Sequence, residues 1–356
     1  MNTDDGAATL RVPKARSTTA GSAAPLRVLS LTGGGYRGLF TAQALVGLCK
    51  AARRRGALHV SIDVFAGTSI GGLMSCALAV GVIPHRVLDA IDAHGPRVFE
   101  AKRFATVRRT FFGTLYDGDN LAKAIDECLG GHASTRLKDI EHGLVVPAID
   151  WVGGRVEIYL SAYFGKSRAS NATLKEVCLA TSAAPTYFDP SYVNGAPMLD
   201  GGLAANNPDT LALMEIVRRF PAILPRVEML SIGTAGAEKV RAPKRANRSG
   251  IGWAPDLAIF MMDVQERTAA AQSKRLLGDR YLRVNHPGAP SKAFQQMDAA
   301  NDDTRKHLMQ AGRDVAAAAY KTSGAFIERF LSADRRKGGS AAVTGQRRSR
   351  SSAFRR

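Results

Sequence analysis

The sequence has few cysteines, little tryptophan and few unbroken apolar stretches, and these shortages narrow what it can be. Its four cysteines, Cys49, Cys76, Cys128 and Cys178, are scattered without a C-x-x-C pair. Neither a disulfide framework nor a thiolate metal site is encoded, and the thiols read as reduced, mostly buried residues of a cytoplasmic protein. The opening segment "MNTDDGAATLRVPKARSTTAGSAAP" lacks the basic-then-apolar order of a secretory signal and reads as a flexible arm over residues 1–25. No repeat recurs at a solenoid or propeller period. The uncharged run from Phe65 to Pro84 has the length of a membrane span. Glycines 67, 71 and 72 crowd its start, however, leaving only "LMSCALAVGV" as a continuous apolar helix suited to the middle of an α/β core.

Acidic residues are missing from the C-terminal stretch "RRKGGSAAVTGQRRSRSSAFRR", which carries eight of the chain's 18 net positive charges. It is too polar and Gly/Ser-rich to bury a core, so residues 334–356 read as a basic disordered tail. A second basic cluster, Lys239, Arg241, Lys244, Arg245 and Arg248, interrupted by proline, reads as an exposed loop. Both runs suit a solvated surface, an anionic lipid surface or a nucleotide, because charge guides association without naming the partner. Between the tails no linker interrupts residues 26–333, which are expected to form one domain.

What is present is an alternation of strand and helix. "LRVLSL" reads as a buried strand, Gly38 to Arg53 as a helix, "HVSIDVFAG" as a second strand and Ile70 to Val80 as a second helix. Two strand–turn–helix units in succession imply a parallel sheet flanked by helices. "GLVVPAIDW", "RVEIYLSAY" and "VEMLSIGT" read as further strands, Asn171 to Leu179 as a helix capped by Asn171, and Asp256 to Leu277 as a long helix. The segment from His85 to Arg136 reads as mainly helical, with Phe99, Phe104, Phe111, Phe112 and Tyr116 as core.

The first strand runs into "LTGGGYRGLF", a G-x-G-x-x-G through Gly33, Gly35 and Gly38. Such a loop converges backbone N–H groups on an anion at a helix N-terminus. In a dinucleotide fold the second strand would end in an acid that accepts from the ribose. Here Asp63 is placed inside that strand, which instead ends in Gly67-Thr68-Ser69-Ile70-Gly71, a G-x-S-x-G. A strand before it, a helix after it and glycines at the turn are what a nucleophile elbow requires. Attack by Ser69 on an acyl carbonyl would create an oxyanion facing the N–H groups of Gly34, Gly35 and Ile70. None of the seven histidines has a motif around it, so each reads as a surface or packing residue. Asp200-Gly201-Gly202, after apolar Met198 and Leu199, is the better base candidate, although glycines after an aspartate are commonly only a turn.

In order, "LSLTGGGYRGLF", "IDVFAGTSIGGL", "ATSAAPTYFDP" and "MLDGGLAANNP" resemble the motifs of the patatin-like phospholipases over roughly Leu26 to Gly312. The resemblance implies a three-layer α/β/α acyl hydrolase with a Ser–Asp dyad and no metal, cofactor or histidine base. Ser69 is then the nucleophile, Asp200 the general base, and Gly33, Gly34 and Gly35 the oxyanion hole with Ile70. Arg37, Gly38, Gly67, Gly71, Gly201 and Gly202 complete the motifs. Thr32 stands where many members carry aspartate, and Tyr36 where an aliphatic residue is commoner. "GGGYRGLFTAQAL" is most similar to the bacterial subgroup of anti-phage effectors switched on by cyclic di- or trinucleotides, implying such an activator and a phospholipid membrane as substrate. A cytoplasmic enzyme, peripheral at the inner membrane when active and able to oligomerise, is expected. The competing readings are a general esterase acting on soluble esters and a non-enzymatic, basic nucleic-acid-binding protein.

Overall fold

The computed structural model describes residues 24–101, 114–165, 167–236, 250–286 and 296–332, with side chains from 259 onward in the 250–286 stretch. Apart from Ala24, these residues belong to one unit, Pro25–Arg336. The expected arm, the basic tail, the Lys239–Arg248 cluster and Phe104, Phe111 and Phe112 lie outside the described residues, apart from the last two positions of the arm.

The first strand, β1 (Leu26–Leu31), is fully apolar apart from Arg27 and Ser30, and all six residues are buried. A strand buried on both faces belongs at the centre of a helix-covered sheet. It pairs in parallel with β2 (Val64–Gly67) on one side and β7 (Val227–Ile232) on the other, and β7 pairs in parallel with β8 (Tyr281–Val284). Next to β2 comes β3 (Gly143–Asp150), which pairs antiparallel with β4 (Arg155–Leu160) and with β6 (Ala196–Asp200). A short hairpin joins β6 to β5 (Ser191–Val193).

Helices cover both faces. α1 (Gly38–Ala51) and α2 (Ile70–Ala79) follow the first two strands, and α3 (Pro84–Val98), α4 (Gly118–Leu129) and α5 (Leu174–Ser182) pack near them in the larger apolar core. A short turn, α6 (Gly202–Ala205), leads to α7 (Asp209–Arg219). The long α8 (Gly250–Leu277) follows β7, and α9 (Asp302–Leu331) packs along α1. A mixed sheet between two helical layers is the three-layer α/β/α arrangement expected from the sequence.

Local expectations need correction at two elements. The second strand is shorter than "HVSIDVFAG": Leu58–Val60 form a 3₁₀ turn, and Asp63 precedes β2, accepting the Arg27 N–H at 2.7 Å. The helix expected from Asn171 starts at Leu174, because Thr173 and Glu176 form a reciprocal capping box that outcompetes Asn171. Strands β5, β6 and β8 and helix α9 carried no recognised signal. All four cysteines are free and buried, and Phe99 and Tyr116 pack with Phe188 in a satellite cluster. Among the described residues no helix is long and apolar enough to cross a membrane.

Thr173→Ala removes the cap that starts α5 and is expected to lower stability by about 1 kcal/mol. Denaturant unfolding should show it as a lower midpoint with an unchanged slope.

Candidate active site

The site is assembled along one edge of β3. Its first residues, Gly143–Val145, pair with β2, and its last, Ala148–Asp150, pair with β6, while β4 occupies the opposite edge. β6 therefore continues the line of β2 beyond the point where β2 ends, and Asp200 at the end of β6 meets the residues that follow Gly67.

Those residues form a sharp turn. Ser69 has φ 53° and ψ −125°, in the positive-φ region that L-residues avoid. The turn closes only because its flanking residues are small: a Cβ at Gly67 would sit 2.0 Å from the Gly71 carbonyl oxygen, and one at Gly71 would sit 2.2 Å from that of Leu31. Thr181 of α5 locks the turn by accepting the Ser69 N–H at 3.0 Å and donating its hydroxyl to the Pro147 carbonyl of β3 at 2.7 Å.

So held, the Ser69 hydroxyl donates to Asp200 Oδ2 at 2.7 Å. The other carboxylate oxygen accepts the Gly202 N–H at 2.7 Å, and the Asp200 N–H donates to the Ala183 carbonyl at 2.9 Å. Burial pushes the Asp200 carboxyl up from 3.8 to about 6, against the opposing pull of the Gly202 N–H and the Ser69 hydroxyl. Such a carboxylate stays largely ionised at neutral pH and is a stronger proton acceptor than an exposed aspartate. A hydroxyl resting on it can give up its proton as it attacks an electrophile.

Facing this pair is the glycine-rich loop after β1. The expectation that Gly33 donates to an oxyanion is corrected, since its N–H is already given to the Asn206 carbonyl at 2.9 Å. Gly34 and Gly35 border the cavity beside Ser69 and Ile70, and among the described residues their N–H groups meet no protein acceptor. Ile70 opens α2, so its N–H also lacks an intrahelical partner. Gly35 has φ +57°, and Tyr36 beyond it donates its N–H to the Met297 carbonyl at 2.7 Å, fixing the loop. Gly38 begins α1 against Ile70, and Gly201 follows Asp200 against the Pro147 carbonyl. Arg37 is buried, and burial lowers its pKa while Asp263 and Glu266 oppose that shift.

A buried polar network underneath, which the sequence reading missed, ties these loops together. Arg283 of β8 donates to Thr32 Oγ1 (2.9 Å), Ser231 Oγ (2.6 Å) and Glu266 Oε1 (2.6 Å). Ser231, Tyr281 and Asn207 all donate to the carboxylate of fully buried Asp209. Thr32, at the position where aspartate is common, thus shares an arginine whose charge is met by Glu266 of α8.

Ser69 and Asp200 open onto a cavity of about 430 Å³. Its walls are mainly apolar, with Leu73, Ile91, Val98, Phe99, Leu121 and Phe188 among them. Its size and lining suit an acyl chain. His94 is the one histidine on its wall, and the Ser69 hydroxyl is bonded to Asp200 instead. No group of His, Cys, Asp or Glu among the described residues could hold a metal ion.

A family model described as patatin-like phospholipase matches residues 29–213, a span containing both Ser69 and Asp200. The chain is 29% identical to the cGAMP-activated phospholipase of Pseudomonas aeruginosa over 81% of its length and 87% of that protein. It is 27% identical to the cGAMP-activated phospholipase of Vibrio cholerae, covering 86% of this chain and 94% of that one. Patatin-T5 of Solanum tuberosum is 26% identical, over 78% and 75% of the two chains.

Raising a buried carboxyl from 3.8 to about 6 means that its charged form destabilises the fold. The corresponding stability is full below pH 4 and is lost as pH rises through 6, at a cost of order 2–3 kcal/mol. Asp200→Asn, which keeps the shape and removes the charge, is therefore expected to raise the melting temperature at pH 8, with the gain shrinking towards pH 4. An equal gain at both pH values would show that the charge is not the cause.

Proposed function

The chain belongs to the patatin-like phospholipase family and is a lipid acyl hydrolase, and on that premise we propose that it cleaves membrane phospholipids through a Ser69–Asp200 dyad. The observation carrying this reading is the 2.7 Å hydrogen bond from Ser69 to a buried carboxylate, both lining an apolar cavity. Ser69 Oγ attacks the ester carbonyl carbon while its proton passes to Asp200. The resulting oxyanion is met by the N–H groups of Gly34, Gly35 and Ile70, which need little reorganisation because loop and helix already hold them. Collapse breaks the ester bond, and the departing alcohol takes the proton from Asp200, leaving an acyl-enzyme. Water then gives its proton to Asp200, attacks the acyl carbonyl and releases the fatty acid as Ser69 recovers its proton.

We further propose that a cyclic oligonucleotide switches the enzyme on. Two relatives aligned over more than four fifths of this chain are named as cGAMP-activated phospholipases, and such control would protect the producing cell's own membrane until a signal such as phage infection arrives.

Fatty-acid release from phospholipid vesicles, measured with and without a panel of cyclic di- and trinucleotides, tests both parts. Release is expected with one nucleotide only, and Ser69→Ala and Asp200→Ala should each lower it by at least about 10³-fold. Its rate should climb as pH rises through about 6, where Asp200 ionises. Release without any nucleotide would remove the switch, and persistence in Asp200→Ala would remove the dyad. Activity confined to dispersed short-chain esters would favour a general esterase. Salt-sensitive nucleic-acid binding with no hydrolysis would favour the binding protein.

A further inference from the structure

Helix α8 is apolar on two sides just where it passes the cavity. Ile259 and Met262 line the cavity, whereas Phe260, Met261 and Val264 point outward, with 40%, 57% and 44% of their surface exposed. A surface helix ordinarily turns polar residues to solvent, so an outward face of this kind calls for a partner. The patch is also broader than one helix. Phe260, Met261 and Val264 form one side of a groove whose other side carries Thr210 of α7, and Met214, one turn further along α7, is 69% exposed. Leu203 of α6, 40% exposed, lines the cavity together with Met262, so the cavity reaches solvent next to α8.

The charges on this stretch have a consistent arrangement. From Ile259 to Leu277, α8 has only two acids, Asp263 and Glu266. Glu266 is buried in its pair with Arg283, and Asp263 lies near the Arg37 guanidinium. The exposed charges over the same stretch are Arg267, Lys274 and Arg275, all cationic. An outward face of apolar side chains followed by cations, on a chain with a net charge of +18, suits the boundary of an anionic bilayer.

We propose that the outward face of α8 around Phe260, Met261 and Val264, with Met214 of α7, is a membrane-docking surface that seats the cavity mouth on an anionic phospholipid bilayer. This rests on the proposed phospholipase function, because a bilayer is the partner that must meet the mouth when the substrate is drawn from it. A protein seated on the same face would border the route by which a lipid enters.

The test is flotation with vesicles of phosphatidylcholine and phosphatidylglycerol, using full-length Ser69→Ala protein so that binding is read without hydrolysis, with and without added cGAMP. Phe260→Asp combined with Met261→Asp is expected to weaken vesicle binding by about tenfold or more. Phe260→Leu combined with Met261→Leu should retain it. The Asp pair, placed in protein with Ser69 intact, should hydrolyse a soluble short-chain ester at the unaltered rate, which also shows that it folds. Unchanged vesicle binding by the Asp pair would overturn the proposal, as would an original protein that never floats. A fall in oligomeric mass without loss of vesicle binding would assign the face to a second copy instead. Hydrolysis of phospholipid in detergent micelles judges the underlying function separately: docking without such hydrolysis removes the phospholipase, and hydrolysis without docking removes only this surface.

Discussion

The arrangement depends on one costly interaction, a carboxylate taken out of water and held against a serine hydroxyl. Asp200 reaches Ser69 because two strands that are far apart in sequence share one edge of β3. Its burial raises its proton affinity, which weakens the fold at neutral pH and strengthens the group as a base. Ser69 adds a second strain through its positive φ, tolerated because Thr181 anchors its N–H and the flanking glycines let β2 turn sharply into α2. Both costs fall at the same pair of residues, and the surrounding apolar core carries them.

That core alone would not fix the loops. The network of Arg283, Glu266, Ser231, Asp209 and Tyr281 joins β7, β8, α7 and α8 beneath the site and reaches the glycine-rich loop through Thr32. Arg283 is paired with Glu266, and the Asp209 carboxylate is met by the hydroxyls of Ser231 and Tyr281 and the Asn207 amide, the condition under which buried ions can be kept. α8 thereby has three faces with three tasks: Glu266 towards the network, Ile259 and Met262 towards the cavity, and Phe260, Met261 and Val264 towards solvent.

The elbow and the glycine-rich loop were legible in the sequence because their demands are local. A turn as tight as Gly67–Gly71 imposes residue types at fixed spacing, and the strand and helix beside it show their own periodicity. Asp200 was found through the company it keeps, since an aspartate before two glycines is otherwise an ordinary turn. Strand β6, which delivers Asp200, is five residues long and contains Pro197, so it carries little pattern of its own. The role of Gly33 could not be read, because the acceptor of its N–H, Asn206, is remote in sequence. Nothing in the sequence around Glu266 and Arg283 marks them as partners, and only tertiary structure shows that they pair out of solvent. Helix α9, rich in alanine around "AAAAYK", has a weak apolar period and is defined by its packing on α1.

The central claim is that Ser69 is made nucleophilic by Asp200, and the most direct measurement is covalent labelling by an alkyl fluorophosphonate followed by peptide mass spectrometry. The account predicts one labelled serine, Ser69, with a labelling rate that rises through about pH 6 and a label that is lost in Asp200→Asn. Labelling of another serine, or labelling of Ser69 that is indifferent to both pH and Asp200→Asn, would contradict it.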